Sequence, residues 1–183
     1  SVLGRHSKMK LVAVCLTFSI CISQFAICSP VVYAEVIDRV LAVVNGDLIT
    51  LSDVRGAREL GLMAPGSAAD PVQGVLSQLI DRALELDEVD RYQPPEPAAE
   101  AVDVEVQAVR SRFPSPAAFD VALTHAGMDL QRLRQTVRDN LRIRAYIDQR
   151  FLAVEDRRQQ LIDDWLAGLR RRGAIVDLYR ADP

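Results

Sequence analysis

From residue 36 the chain opens on an alternating apolar run. Val36, Val40, Ala42 and Val44 share one face of an extended segment, and Ile37, Arg39, Leu41 and Val43 share the other. Neither face is very polar at the end of the run, so the strand is expected to be covered on both sides for part of its length. Asn45-Gly46 follows, the strongest short-range hairpin signal, because both central residues of a type I′ turn need positive φ. Asp47 to Ile49 then reads as the return strand. Thr50-Leu-Ser-Asp53 fits a capping box at a helix start, with Ser52 as the alternative cap because Asp53 is shorter than the usual Glu.

Beyond this point the period becomes helical. A first helix is expected over 52–63, stopped by Ala64-Pro65-Gly66, and a long second one over 71–92 with Val75, Leu79, Ala83, Leu86 and Val89 on its stripe. "QPPEPAAE" ends it, and Pro97 suits the first turn of a helix over 97–112. A short helix over 116–126 closes at Gly127, a left-handed C-cap. Asp129 starts the next long helix, with Leu130, Leu133, Val137 and Leu141 on one stripe and Tyr146, Ile147 and Phe151 continuing it. A last helix over 155–172 carries Leu161, Ile162, Trp165, Leu166 and Leu169 towards the core and ends at Gly173. "AIVDLY" then reads as a short strand. An isolated two-stranded ribbon is marginal in water, whereas three strands under helices are stable. The closing strand over 174–180 is therefore expected to pair with the opening hairpin. The fold class is mostly α with a small antiparallel β-sheet, the helical module occupying 51–172.

Residues 1–34 have a different character. Lys8 and Lys10 precede an uncharged, largely apolar stretch from Leu11, which ends in Val32-Tyr33-Ala34. A basic start, an apolar middle and a small-residue exit describe a secretory signal peptide cut before Glu35, with residues 1–8 upstream of a start at Met9. The alternative is an uncleaved membrane anchor, since about 20 apolar residues span a bilayer. Gln24 and Pro30 weigh against it. Phe25-Ala26-Ile27 before Cys28 lacks the small residue that a lipoprotein site wants beside the cysteine. A single domain over 35–183 is expected, exported to the periplasm. All three cysteines (Cys15, Cys21, Cys28) lie in the leader, so this domain needs no disulfide framework and offers no thiolate.

Charge narrows the partners. Arg5, Lys8 and Lys10 are the cations before residue 35, leaving 19, all arginine, against 25 acids and a net charge of −6. That balance argues against nucleic acid as a partner. Arg132, Arg134, Arg138, Arg142, Arg144 and Arg150 read as a solvated helix face interleaved with Asp139 and Asp148.

Three segments carry a family resemblance: "VIDRVLAVVNGDLITLSDV", "VLSQLIDRALELDEVDRY" and "FPSPAAFDVALTHAGMDLQRLRQTVRDNLRIRAYIDQRF". In order and spacing the chain over about 35–151 resembles the SurA-type periplasmic chaperones. These usually insert one or two parvulin prolyl isomerase domains after the long helix, then return with a helix and a strand. Here Phe151 runs almost directly into "VEDRRQQLIDDWLAGLRRRGAIVDLY", which looks like the returning segment. The resemblance therefore implies the chaperone core without the isomerase modules, and isomerase activity does not transfer.

No catalytic constellation is legible. His125 is the one histidine after residue 34, and beside a helix C-terminus it suits the dipole there better than a substrate. No serine sits in a nucleophile elbow, and no phosphate-cradling glycine loop occurs. Asp81, Glu85, Asp87, Glu88, Asp90, Asp163 and Asp164 follow helix periodicity and are expected to face water. No enzyme, no cofactor and no metal is expected. Trp165 is assigned to the core.

What remains is apolar surface for promiscuous contact, to which flexible methionines and aromatics are suited. Leu62, Met63, Phe113, Phe119 and Met128 are the candidate client-facing residues; the alternative for each is that it plugs the core. The expected function is an ATP-independent periplasmic holdase for unfolded outer-membrane or secreted proteins. The alternatives are a specific module pairing with a separate isomerase or secreted partner, and a degenerate prolyl isomerase. Membrane contact is expected only through an uncleaved leader, and a domain-swapped homo-oligomer is open to a chain whose terminal strand completes the sheet.

Overall fold

The computed structural model describes residues 38–152 and 155–180. The leader expected over 1–34, and Val36 and Ile37 of the first strand, lie outside the described residues. No described helix is long and apolar enough to cross a membrane. The fold is mostly helical with a small antiparallel sheet, as the periodicity predicts.

Strand β1 (Val40–Val44) and β2 (Asp47–Thr50) form the hairpin. Asn45 and Gly46 take φ of 51° and 105°, the two positive values the turn demands. The register runs Val44↔Asp47, Val43↔Leu48 and Ala42↔Ile49, then slips at Leu41 before Val40↔Thr50. This bulge breaks the strict alternation expected along the strand and leaves the neighbours Leu41 and Ala42 both fully buried.

Helix α1 (Leu51–Glu59) begins directly from β2. Thr50 is its cap: the Thr50 hydroxyl accepts the Asp53 N–H at 3.3 Å while the Asp53 carboxylate accepts the Thr50 N–H at 2.9 Å. Ser52, the alternative cap, donates its hydroxyl to Asp38 instead. The helix ends four residues before the expected boundary because Gly61, not Pro65, stops it. Gly61 (φ +63°) donates to Arg58 O at 3.0 Å and Leu62 to Ala57 O at 2.8 Å, a Schellman closure.

Helix α2 (Pro71–Tyr92) has the expected limits and is capped by the Asp70 carboxylate, which accepts the Val72 N–H at 2.8 Å. The loop before it crosses its first turn so closely that a Cβ on Gly74 would overlap the Pro65 carbonyl. Helix α3 (Ala99–Arg110) starts two residues later than expected, with no side-chain cap and Pro97 outside it. Helix α4 (Pro116–His125) closes on Gly127 (φ +62°) as anticipated, by a second Schellman pair from Gly127 to Thr124 O and Met128 to Leu123 O. Helix α5 (Leu130–Arg150) follows from its Asp129 cap, and α6 (Arg158–Arg172) follows a short 3₁₀ turn.

Strand β3 (Ile175–Asp177) lies antiparallel beside β1, giving the sheet order β2-β1-β3. The expected closure of the domain by its final strand is thus observed. Asn45 does more than turn the hairpin. Its N–H donates to Ala174 O (2.9 Å), its side-chain oxygen accepts the Ala174 N–H (2.8 Å), and its amide donates to Asp87 on α2. Further along, the Tyr179 hydroxyl donates to Asp70 at 2.7 Å. Asn45→Gly keeps the positive φ and deletes both side-chain bonds. Unfolding free energy from urea titration should fall by about 1–2 kcal/mol, the cost of leaving such groups unmatched.

Two cores result. The first lies under the sheet, where Leu41, Val44, Val54, Leu76, Ile80 and Leu84 pack together. The second is built by α3, α4 and α5 around Leu60, Val102, Phe119 and Leu133. A smaller cluster of Val89, Ile143 and Tyr146, with Trp165 half-buried against it, lies at the α2–α5–α6 junction. Leu130, placed on the α5 stripe by spacing, is exposed because that stripe meets α3 and α4 only from Leu133 onward.

Candidate functional site

The two cores do not close completely against each other, and the seam between them is a cleft of about 370 Å³. Its apolar lining comes from Leu48 and Ile49 of β2, Leu79, Ala83 and Leu86 of α2, Ala57 of α1, and Leu62, Met63 and Met128. The two Schellman closures explain how the last three arrive. Leu62 and Met128 each occupy the residue just after the left-handed glycine, where the chain turns back and delivers an apolar side chain beside the helix end. Leu62 packs against the second core and Met63 against the first, so this dipeptide straddles the seam.

A second hollow of about 560 Å³ adjoins the cleft and shares Leu62, Met63, Arg82 and Asn140 with it. It continues between α2 and α5 past Glu85, Ile143 and Ile147 to Arg158.

Of the five residues selected by sequence, three therefore converge on one cleft. Phe119 is corrected: it is 2 % exposed, inside the second core, with the Arg110 guanidinium over its ring at 5.3 Å. A client-facing role is closed to it, because the i, i+3, i+4 packing of α4 turns it inward towards Val102 and Leu133. Phe113 is half-buried against the same core, edge-on to Phe119 at 5.6 Å between ring centroids, and is not a cleft residue. Trp165 is half-buried among Tyr146 and Phe151, and its buried indole N–H has no acceptor among the described residues.

The polar rim is organised by ion pairs between elements. Arg132 meets Asp53 at 3.1 Å, Arg82 meets Asp139 at 3.4 Å, and Arg142 meets Asp90 at 2.8 Å. Arg134 pairs with Asp103 and Arg144 with Glu105 on α3. Arg132, Arg134, Arg142 and Arg144 thus tie α5 to neighbouring elements from a solvated face, whereas Arg138 bonds Gln135 and Arg150 bonds Tyr146 within the helix. Each such pair contributes about 0–1 kcal/mol, but together they fix the rim. His125 lies 3.4 Å from Glu59, across from the end of α1.

Two carboxylates depart from the water-facing expectation. Glu88 is buried, with Arg91 at 3.5 Å. Glu85 lines the second hollow with no ion-pair partner among the described residues. Burial pushes its carboxyl up to about 7, Asp81 one turn earlier adds to the shift, and Arg82 opposes it. Among the described residues, no group of three or more His, Cys, Asp or Glu side chains comes together as a metal site.

The α2 wall of the cleft lies on the stripe read from the sequence. Leu79 and Ala83 sit at the margin of the first core, Leu86 at that of the small cluster, and all three line the cleft, while Leu76, Ile80 and Leu84, off that stripe, fill the first core. Leu48, placed by the sequence in the return strand, is 60 % exposed on β2 and also lines the cleft.

Fold and site together define a mostly helical domain with a three-stranded sheet and an apolar, charge-rimmed cleft between two cores. The chain matches no protein-family profile and no curated protein sequence.

Proposed function

We propose that the chain is an ATP-independent periplasmic holdase that keeps unfolded outer-membrane or secreted proteins from aggregating. The observation that carries this reading is the cleft, apolar on its floor and ionic at its rim. Leu62, Met63 and Met128 give it adaptable walls, as contact with many different sequences requires. Concave apolar surface of this size is costly to leave in water unless something occupies it. The resemblance of residues 35–151 to the SurA-type chaperone core supplies the periplasmic setting and the class of client.

The test is light scattering from a β-barrel protein diluted out of urea. Equimolar native chain should slow its aggregation clearly, and Leu79→Ser with Leu86→Ser should abolish most of the effect while the far-ultraviolet spectrum stays helical. Native chain that fails to slow aggregation even in molar excess removes the holdase reading. Capture of a single partner at fixed stoichiometry would then favour a dedicated interaction module.

A further inference from the structure

We propose that the cleft takes its polypeptide as a fourth strand laid against the free edge of β2, and that it favours segments carrying an arginine or lysine. This rests on reading the cleft as the client site.

The free edge follows from the ladder. Leu178 N–H donates to Leu41 O and Asn45 N–H donates to Ala174 O, each at 2.9 Å. These bonds bracket Val43 and turn its backbone groups towards β3. In an antiparallel sheet the residue opposite Val43 on the other side, Leu48, must then direct its own N–H and C=O away from β1. No described residue bonds either group. They form a ready pair for one residue of an added strand.

The cleft lies along that same edge. Asp47, Leu48 and Ile49 all line it, and no β1 residue does. A segment paired with Leu48 would send alternate side chains towards Leu79, Ala83 and Leu86 on α2.

The charge of the partner follows from which acids are already matched. Asp53, Asp139 and Asp90 each hold an arginine. Asp47 and Asp87 also line the cleft and have no cationic partner among the described residues; Asp87 receives only the Asn45 amide. A basic side chain next to the apolar anchors would match this residual negative charge, and an acidic one would be repelled.

The experiment uses the full chain and a dye-labelled synthetic peptide alternating valine and threonine around a central arginine, read by fluorescence anisotropy. Leu48→Pro removes one outward N–H while sparing the bonds to β1, because that N–H is not used inside the sheet. It should weaken binding about tenfold or more, whereas Leu48→Val should stay within about threefold. Peptide variants need no change in the protein. N-methylation of one alternate set of amides should abolish binding and the other set should not. Arginine→glutamate in the peptide should weaken binding about tenfold, a preference that Asp47→Asn with Asp87→Asn should erase.

Indifference to Leu48→Pro, equal effects of the two N-methylated sets, or no binding by native chain would each overturn strand addition. So would loss of peptide binding as the chain dimerises in sedimentation, which would assign the edge to a second copy. Aggregation suppression measured alongside keeps the two readings apart. A Leu48→Pro chain that protects clients normally leaves the holdase standing without strand addition.

Discussion

Phe119→Ala should lower the free energy of unfolding by about 3–5 kcal/mol, the range for emptying a buried aromatic site. Phe119 is the largest of the fully buried side chains and sits where α3, α4 and α5 meet, among Val102, Leu123 and Leu133. Truncation removes its own transfer free energy, its edge contact with Phe113 and its contact with the Arg110 guanidinium. Small domains have about 5–15 kcal/mol in total, so the variant should unfold at a much lower urea concentration yet still be folded in cold buffer. Under those conditions its client protection should match that of native chain, since Phe119 lines no part of the cleft. A midpoint shift equivalent to less than about 1 kcal/mol would mean the second core is not packed as described.

Glu85→Gln should change how stability depends on pH. Burial and the Asp81 charge raise the folded-state value to about 7, from an ordinary value of 4.5. Between these two values the folded chain holds a proton that the unfolded chain has released. Stability from this group is therefore present below pH 4.5 and is lost as pH rises towards and through 7. The glutamine variant has nothing to lose. Its advantage over native chain should grow by about 3 kcal/mol between those limits and then level off. Urea titrations of both chains at matched pH values supply the check, and parallel curves across the interval would show that Glu85 is solvated. The same carboxyl faces the second hollow, so acidification makes that surface less negative.

Most of the architecture was legible because the determinants are local. Asn45-Gly46 specifies its own turn, Asp70 and Asp129 cap the helices that follow them, and Gly127 closes α4. The misplaced end of α1 had a local signal too: Gly61 lies between two leucines, where hydrophobicity masked it and the later Pro65 looked like the stronger stop. What could not be read was the relation between distant segments. Leu62, Met63 and Met128 were selected for flexibility and for being next to turns, and they meet because two helices end in the same motif on opposite sides of one seam. Phe119 passed the same test and failed, since its helix face is decided by α3 and α5, not by its neighbours in sequence. Leu48 and the α2 stripe of Leu79, Ala83 and Leu86 become a cleft wall only once β2 is known to be an edge and Leu76, Ile80 and Leu84 are known to fill the first core. The Glu85 environment is of this kind as well, because helix spacing cannot say that Ile143 and Ile147 of α5 lie across the hollow from it.

The bond between Asn45 and Ala174 joins positions 129 residues apart. Strand β1 is the middle strand, so half of its backbone groups stay unsatisfied until that distant partner arrives. Closing so long a loop is entropically slow. The arrival of β3, not the formation of the hairpin, therefore decides when the sheet is whole.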